Sequence, residues 1–277
     1  MVLAGVPGAR KPAGVSYTEG DAQAALAAFA FARDTGEVRW NEPSWGGPFG
    51  PPPTAVQAYR WAYHSYDCVP ADPGDLTVAE ALLTAGLNSR IGARGATSLI
   101  SVLPQVSSAL AQIPTSQKFW TDTPDGDDLS TRPPVFTPAP AATPSVHQCM
   151  WHAYWLVDGA VGIAGPIAHK ILHHKRPWLF PQMDRVTRKF YLSYDWQTIG
   201  HELRTQANEF VQLEDWFATL AGRQRALGDE DAVDLTRLRI HDILLWLEGK
   251  GQRQTAIGAG TTLLNQSGWV LNNGTWQ

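Results

Sequence analysis

Alternation of apolar and polar residues with a period of two, which marks a half-buried strand, is almost absent from this chain. Apolar residues instead recur three and four positions apart, the spacing of one helix face. Helices are indicated at 21–33, 54–67, 75–88, 95–112 (kinked at Pro104), 146–157, 165–175, 183–193, 197–226, 233–248 and 253–265. The pattern predicts an all-α fold, arranged as a helical bundle.

A proline-rich stretch divides the predicted helices into two halves. Residues 121–146 contain six prolines and a short acidic run, which is typical of a linker or an excursion from the fold. We therefore expect an N-terminal helical half (1–120) with a Pro/Gly-rich loop at 40–53, and a C-terminal half (147–277) that contains a hairpin at 158–176. A chain of 277 residues with 44% apolar content can bury one core shared by both halves.

Charge and cysteine content narrow the class of protein. A formal net charge of −4 argues against a globally basic coat for nucleic acid, so any basic surface must be local. Cys68 and Cys149 are far apart and form no C-x-x-C pair, so we expect free thiols. No run of about 18 apolar residues is present. We expect a cytoplasmic protein without a membrane segment, a metal or another cofactor.

Two histidines stand out because their spacing places them on one helix face. His169 and His173 are four residues apart, a spacing that is compatible with metal capture. However, no glutamate lies between them as in an H-E-x-x-H pattern, and Lys170, Lys175 and Arg176 would repel a dication. We predict a basic or hydrogen-bonding helix face, with an acid–base role for one histidine as the alternative.

The chain has 12 tryptophans, and most of them should be core anchors. Some could instead line a slot for a flat ligand, since an indole ring stacks well on a planar molecule. The candidates for such a pocket are the residues nearest the hairpin: Trp151, Trp155, Trp178 and His169.

The hairpin itself combines a glycine-rich bend with a basic helix. Gly162 and Gly165 flank the bend, and Pro166 stands near the first helical position, where proline is favoured. Backbone N–H groups at such a helix start can hold a phosphate. In the alternative interpretation, the glycines only let two helices pack closely. The residues predicted to contact nucleic acid are Gly162, Gly165, Lys170, His173, Lys175 and Arg176.

The stretch GIAGPIAHKILHHKRPWLFPQMDRVTR resembles the hallmark of an uncharacterised bacterial helical family, G-V-G-x-V-T-A-x-K-L-L-A-x-K-R-P-x-L-x-P-V-x-D-R-V-V. Two further stretches, 75–83 and 238–251, also resemble that family. The resemblance covers roughly 75–250. It implies a helical domain of unknown function and supplies no established activity.

A more distant similarity links the same stretch to helix-hairpin-helix DNA glycosylases, whose hairpin L-P-G-V-G-x-x-T-A precedes a helix, an apolar connector and an aspartate. Residues 162–168, 179–181 and Asp184 follow that order. The resemblance implies that the hairpin grips the DNA backbone and that Asp184 stabilises positive charge on the sugar or positions water. Ala164 replaces the second hairpin glycine, and Pro166 stands where bifunctional enzymes carry a nucleophilic lysine, so imine-based lyase chemistry is not implied.

The leading hypothesis is a nucleic-acid-binding protein with a degenerate helix-hairpin-helix that acts as a monofunctional, glycosylase-like hydrolase on an extruded base. One alternative is an enzyme or binding protein for a small planar metabolite, with an aromatic pocket near the hairpin. Another is a non-catalytic interaction protein. Asp184 has its own alternative, because it could cap the next helix or pair with Arg185 or Arg188.

Overall fold

The computed structural model describes residues 1–3, 14–31, 65–69, 74–86, 89, 91–133, 143–191, 196–229, 232 and 234–277. These residues are mostly helical, which confirms the predicted all-α class. The helices are α1 (Glu19–Phe31), α2 (Ser65–Cys68), α3 (Val78–Gly86), α4 (Ala93–Ala111), α5 (Val146–Asp158), α6 (Gly165–Lys175), a 3-10 helix (Thr187–Phe190), α7 (Trp196–Thr205), α8 (Ala207–Ala226), α9 (Arg237–Gly249) and α10 (Arg253–Gln266).

Two short antiparallel strand pairs complete the described structure. β1 (Val2–Leu3) pairs with β2 (Val15–Ser16), and β3 (Leu271–Asn272) pairs with β4 (Thr275–Trp276). Each strand has two residues, which is too short to produce a visible period-two pattern. The sequence therefore gave no signal for them.

The prediction of a helix at 183–193 is wrong over its described part, 183–191, where the one helical element is the 3-10 helix. The Asp184 side chain accepts the backbone N–H groups of Val186 and Thr187, which delays the start of the helix. The predicted helix at 197–226 is interrupted at Gln206. The loop at 40–53, most of the helix at 54–67 and residues 134–142 of the linker lie outside the described residues.

Helix α1 packs most extensively on α10, because both present small residues to each other. A Cβ atom on Gly260 would stand 1.7 Å from the carbonyl oxygen of Ala24, so only glycine permits this approach. The hydrophobic core continues from Leu3 to Trp276 as one cluster that includes residues from both predicted halves. The two-half division itself stays a prediction.

Helix α9 lies at the centre of the C-terminal part, against α1, α8, α10 and the 3-10 helix. Most of its residues are buried, including four with polar or charged side chains: Arg237, Arg239, His241 and Asp242. A helix buried on all sides must find protein partners for such side chains. The candidate site depends on these partners.

The hairpin between α5 and α6 packs against the start of α4. Helix α5 begins with a capping box at Ser145, and α6 begins at Gly165 with Pro166 in its first turn. Gly162 has φ of +87°, and a Cβ on it would stand 3.2 Å from the Cα of Gly95. The glycines therefore permit close packing, and phosphate binding by this turn stays a prediction.

No helix in the described part of the chain is both long enough and apolar enough to cross a membrane.

Candidate active site

Lys175, one of the residues predicted to contact nucleic acid, faces the protein interior. Its Nζ donates to Oε1 of Glu80 at 3.1 Å and to the backbone carbonyl of Asp75, and its side chain is 1% exposed. Burial alone would raise the pKa of Glu80, but hydrogen bonds from Thr77 and Lys175 lower it below its usual range. This pair therefore anchors α6 to α3.

Arg176 makes a second buried anchor at the end of α6. Its guanidinium donates to the carbonyl oxygens of Leu110 at 3.2 Å, Ile113 at 3.4 Å and Pro114 at 3.5 Å. Only 2% of the residue is exposed, and burial lowers the pKa of the guanidinium. The carbonyls at the end of α4 thus receive a charged donor from α6.

His169 and His173 bind the connector, which we define as residues 177–184. The ring Nδ1–H of His173 donates to the Phe180 carbonyl at 2.7 Å, and that of His169 donates to the Pro181 carbonyl at 2.9 Å. Burial lowers the pKa of both imidazoles to about 3, so both are neutral at physiological pH. The connector consequently lies along the His169–His173 face of α6, which is the predicted hydrogen-bonding face.

Asp184, at the end of the connector, uses its two carboxylate oxygens differently. Oδ1 accepts from the N–H of Val186 at 2.6 Å, the N–H of Thr187 at 3.0 Å and the Thr187 hydroxyl at 3.1 Å. Oδ2 accepts no hydrogen bond within the described residues. Likewise, no ion pair there joins Asp184 to Arg185 or Arg188. Asp184 therefore caps the following turn with one oxygen and leaves the other unused.

Five side chains form what we call the buried charge cluster: Asp67, Lys170, Asp184, Arg239 and Asp242. Arg239 donates to Asp67 at 2.8 Å and to Asp242 at 2.5 Å. Lys170 interacts electrostatically with Asp184 and Asp242. Three of these five side chains are acidic and two are basic.

Two members of the buried charge cluster have displaced pKa values. Burial raises the pKa of Asp242 to about 7; Arg239 opposes this, and Asp184 adds to it. Burial also lowers the pKa of Lys170, although Asp184 and Asp242 oppose that shift. Oδ1 of Asp242 is buried and has no hydrogen-bond partner among the described residues. Strongly perturbed groups of this kind are concentrated at functional sites.

Three of the four aromatic pocket candidates belong to one aromatic cluster. The rings of Trp151 and Trp155 are stacked with centroids 6.3 Å apart, and Trp196 contacts both Trp151 at 4.1 Å and His169 at 5.6 Å. Trp178 donates its indole N–H to the Thr115 carbonyl at 3.0 Å. Within the described residues, no ring contact joins Trp178 to Trp151 or Trp155. A pocket for a planar ligand stays a prediction.

Metal binding has no structural support in the described part of the chain. No group of three or more His, Cys, Asp or Glu side chains there is placed to hold a metal ion.

Sequence reasoning missed several polar residues of the interior. On α9 it overlooked Arg239 and Asp242, although opposite charges at i and i+3 beside the apolar run ILLWL were a usable signal. It also missed a triangle on the other side of α9, where the Tyr191 hydroxyl, Nε2 of His241 and Oε2 of Glu202 lie 3.0–3.1 Å apart. Nothing in the sequence pairs these three residues, because they come from separate elements.

Comparison with known proteins identifies a family and no activity. The profile of a family described only as being of unknown function, DUF6308, matches residues 53–249, which is more than half of the chain. Neither the curated proteins nor the solved structures gave a significant match. The chain therefore belongs to the DUF6308 family of unknown function.

Proposed function

We propose that this protein is a hydrolase of N-glycosidic bonds, with Asp184 as its catalytic carboxylate. The observation that carries the proposal is the difference in hydrogen bonding between the two carboxylate oxygens of this side chain. Three donors fix Oδ1, whereas Oδ2 accepts no hydrogen bond from the described residues. A carboxylate that is held rigidly by one oxygen can present the other to a developing positive charge without reorganising.

The surroundings of Asp184 support the same chemistry. Asp184 and Asp242 are coupled electrostatically, and burial raises the pKa of Asp242 to about 7. Near neutral pH, Asp242 can therefore exist as a neutral acid. Glycosidic hydrolysis commonly uses a neutral acid together with a carboxylate.

The reaction balances with water as the only co-substrate. The bond between the anomeric carbon and the base nitrogen breaks, and its electron pair leaves with the base. Positive charge develops on the sugar, where Oδ2 of Asp184 stabilises it. Water adds to the anomeric carbon, and the proton that it loses balances the proton taken up by the leaving base. Asp242 and Lys170 can exchange that proton within the buried charge cluster.

Burial of the basic residues favours a free nucleoside-type substrate over a duplex. Lys175 and Arg176 are bonded to protein groups and are 1–2% exposed, so neither side chain reaches a phosphate in this conformation. Lys170 is 7% exposed and belongs to the buried charge cluster. A nucleic-acid substrate remains the second candidate, favoured by the exposed turn at Val161 and Gly162.

The test is release of free base from nucleosides and from single- and double-stranded oligonucleotides, measured by chromatography. Asp184→Asn should keep the turn, because the amide oxygen can replace Oδ1, but should lower turnover by about 1,000-fold or more. Asp128→Asn is a control from outside the buried charge cluster: Asp128 accepts from the N–H and hydroxyl of Ser130 in a similar turn. It also pairs with Arg204 at 3.1 Å, so this variant should lose some stability. It should leave turnover unchanged.

The outcomes separate the candidates. Base release from nucleosides alone supports the small substrate. Release from oligonucleotides alone, with binding that weakens steeply as salt rises, supports the nucleic-acid substrate. An Asp184→Asn variant that folds and turns over like the wild-type protein would refute the proposal.

A further inference from the structure

A buried glutamine two residues before Asp184 has an amide group with no protein partner. Gln182 is 3% exposed, and neither its Nε2 nor its Oε1 forms a hydrogen bond within the described structure. A primary amide offers two donors and two acceptor lone pairs, so burying it unpaired is unfavourable unless a ligand or water satisfies it. Buried polar groups left unsatisfied are uncommon, which makes this one informative.

The backbone around Gln182 is held firmly in place. The carbonyl of Phe180 accepts from His173, and that of Pro181 accepts from His169, so α6 fixes the connector on the N-terminal side of Gln182. On the other side, the N–H of Asp184 donates to the Thr187 hydroxyl at 2.9 Å. An amide carried by so constrained a segment is oriented in advance for a partner.

Gln182 is also close to the proposed catalytic carboxylate. Two residues of extended chain span at most about 7 Å, so the Cα atoms of Gln182 and Asp184 are no farther apart than that. A nucleobase linked to a sugar at Asp184 would lie within reach of the amide. Both polar atoms of Gln182 are closed to solvent, so a base reaches them only when surrounding side chains move apart, and water then competes little for the amide.

Resting on the proposed function, we infer that Gln182 is the base-recognition residue and selects nucleobases that present a donor beside an acceptor on one edge. Adenine and cytosine carry an amino group beside a ring nitrogen, and hypoxanthine, guanine and uracil carry a carbonyl beside an N–H. A glutamine amide pairs with either arrangement in a bidentate manner, because it can rotate to exchange its donor and acceptor. Purine whose N9 is substituted, as it is in a nucleoside, lacks the donor.

Direct binding of bases that are methylated at N9, where a nucleoside carries its sugar, tests this inference without requiring turnover. Calorimetric titration of the full chain with 9-methyladenine, 9-methylhypoxanthine and 9-methylpurine should show about ten-fold or greater preference for the first two over 9-methylpurine. Gln182→Met, which keeps the side-chain volume, should remove the preference and leave the melting temperature equal or higher. Equal affinity for all three bases, or no binding of any, would overturn the inference.

A second buried glutamine provides the matched control. Gln23 is fully buried, and both ends of its amide are partnered: Nε2 donates to Glu19, and Oε1 accepts from the Trp276 N–H at 2.7 Å. Gln23→Met should lower the melting temperature and keep the base preference. Base selectivity that depends on Gln182 without any turnover would support this inference and refute hydrolysis. Turnover that depends on Asp184, in a protein that shows no base selectivity, would support hydrolysis and refute this inference.

Discussion

Two groups of buried charges lie on and around α6, and they differ in how completely they are matched. In the anchors at the end of α6, each cation has close acceptors: Lys175 faces Glu80, and Arg176 faces three carbonyls, although Nε of Arg176 has no partner among the described residues. The buried charge cluster has three carboxylates for two cations and contains an oxygen of Asp242 with no described partner. Paired charges at the anchors hold elements together, whereas burial raises the pKa of Asp242 to about 7 and leaves this group able to gain or lose a proton near neutral pH.

Breaking an anchor should have the largest effect on stability. Lys175→Met leaves the Glu80 carboxylate buried without its cation, and we expect a loss of about 3–5 kcal/mol in the free energy of unfolding. The double variant Lys175→Met/Glu80→Leu should recover much of that loss, because no uncompensated charge remains. Urea unfolding measures both. Single and double variants with the same stability as the wild-type protein would show that the pair does not anchor α6.

Removing a histidine from the connector face should have an intermediate effect that depends on pH. His173→Leu leaves the Phe180 carbonyl without its donor, which costs about 1–3 kcal/mol at pH 7. The folded protein keeps His173 neutral, since its pKa is about 3, while the unfolded chain takes up a proton below about pH 6.5.

Acidification therefore destabilises the wild-type protein through His173, and the leucine variant escapes this penalty. The amount by which the variant's free energy of unfolding falls below that of the wild-type protein should therefore shrink by about 2 kcal/mol between pH 7 and pH 5. Unfolding curves at the two pH values measure the change. A deficit that stays constant would mean that His173 titrates normally in the folded protein.

The smallest effect is expected at the turn that holds Asp184. Thr187→Val removes the hydroxyl that donates to Oδ1 and accepts from the Asp184 N–H, at a cost of about 1 kcal/mol. If the proposed function is right, the same variant should also lower turnover, because Asp184 loses one of its three fixed donors. Thr219→Val, on the exposed face of α8, is the control and should change neither quantity measurably.

The sequence predicted the positions of the helices better than it predicted the surroundings of their side chains. Helix α6 has the predicted bounds, 165–175, because Gly165 and Pro166 mark its start and local signals suffice for that. The direction in which its basic side chains point depends on residues far away in the chain: Lys175 and its partner Glu80 are 95 positions apart. A single sequence does not reveal such a pairing. In the sequence, basic residues that form a buried anchor therefore look the same as basic residues on a surface.

Asp184 shows the same limit in another way. Catalytic carboxylate and helix cap were alternative predictions for this residue from the sequence alone. The structure shows the cap on Oδ1, and the unused Oδ2 makes the two roles compatible. The electrostatic partners Lys170 and Asp242 come from α6 and α9. No local sequence pattern predicts that these two helices bring the side chains together.

The central claim, that the buried charge cluster takes up a proton near neutral pH, is tested most directly by the stability of the wild-type protein relative to Asp242→Asn from pH 4 to pH 9. A carboxyl whose pKa is raised on folding contributes stability that is present at low pH and is lost as pH rises through the folded value, which is about 7. The difference should therefore fall by about 1.4 kcal/mol per pH unit between about pH 4 and pH 7 and then level off. A difference that stays flat across that range would contradict the account.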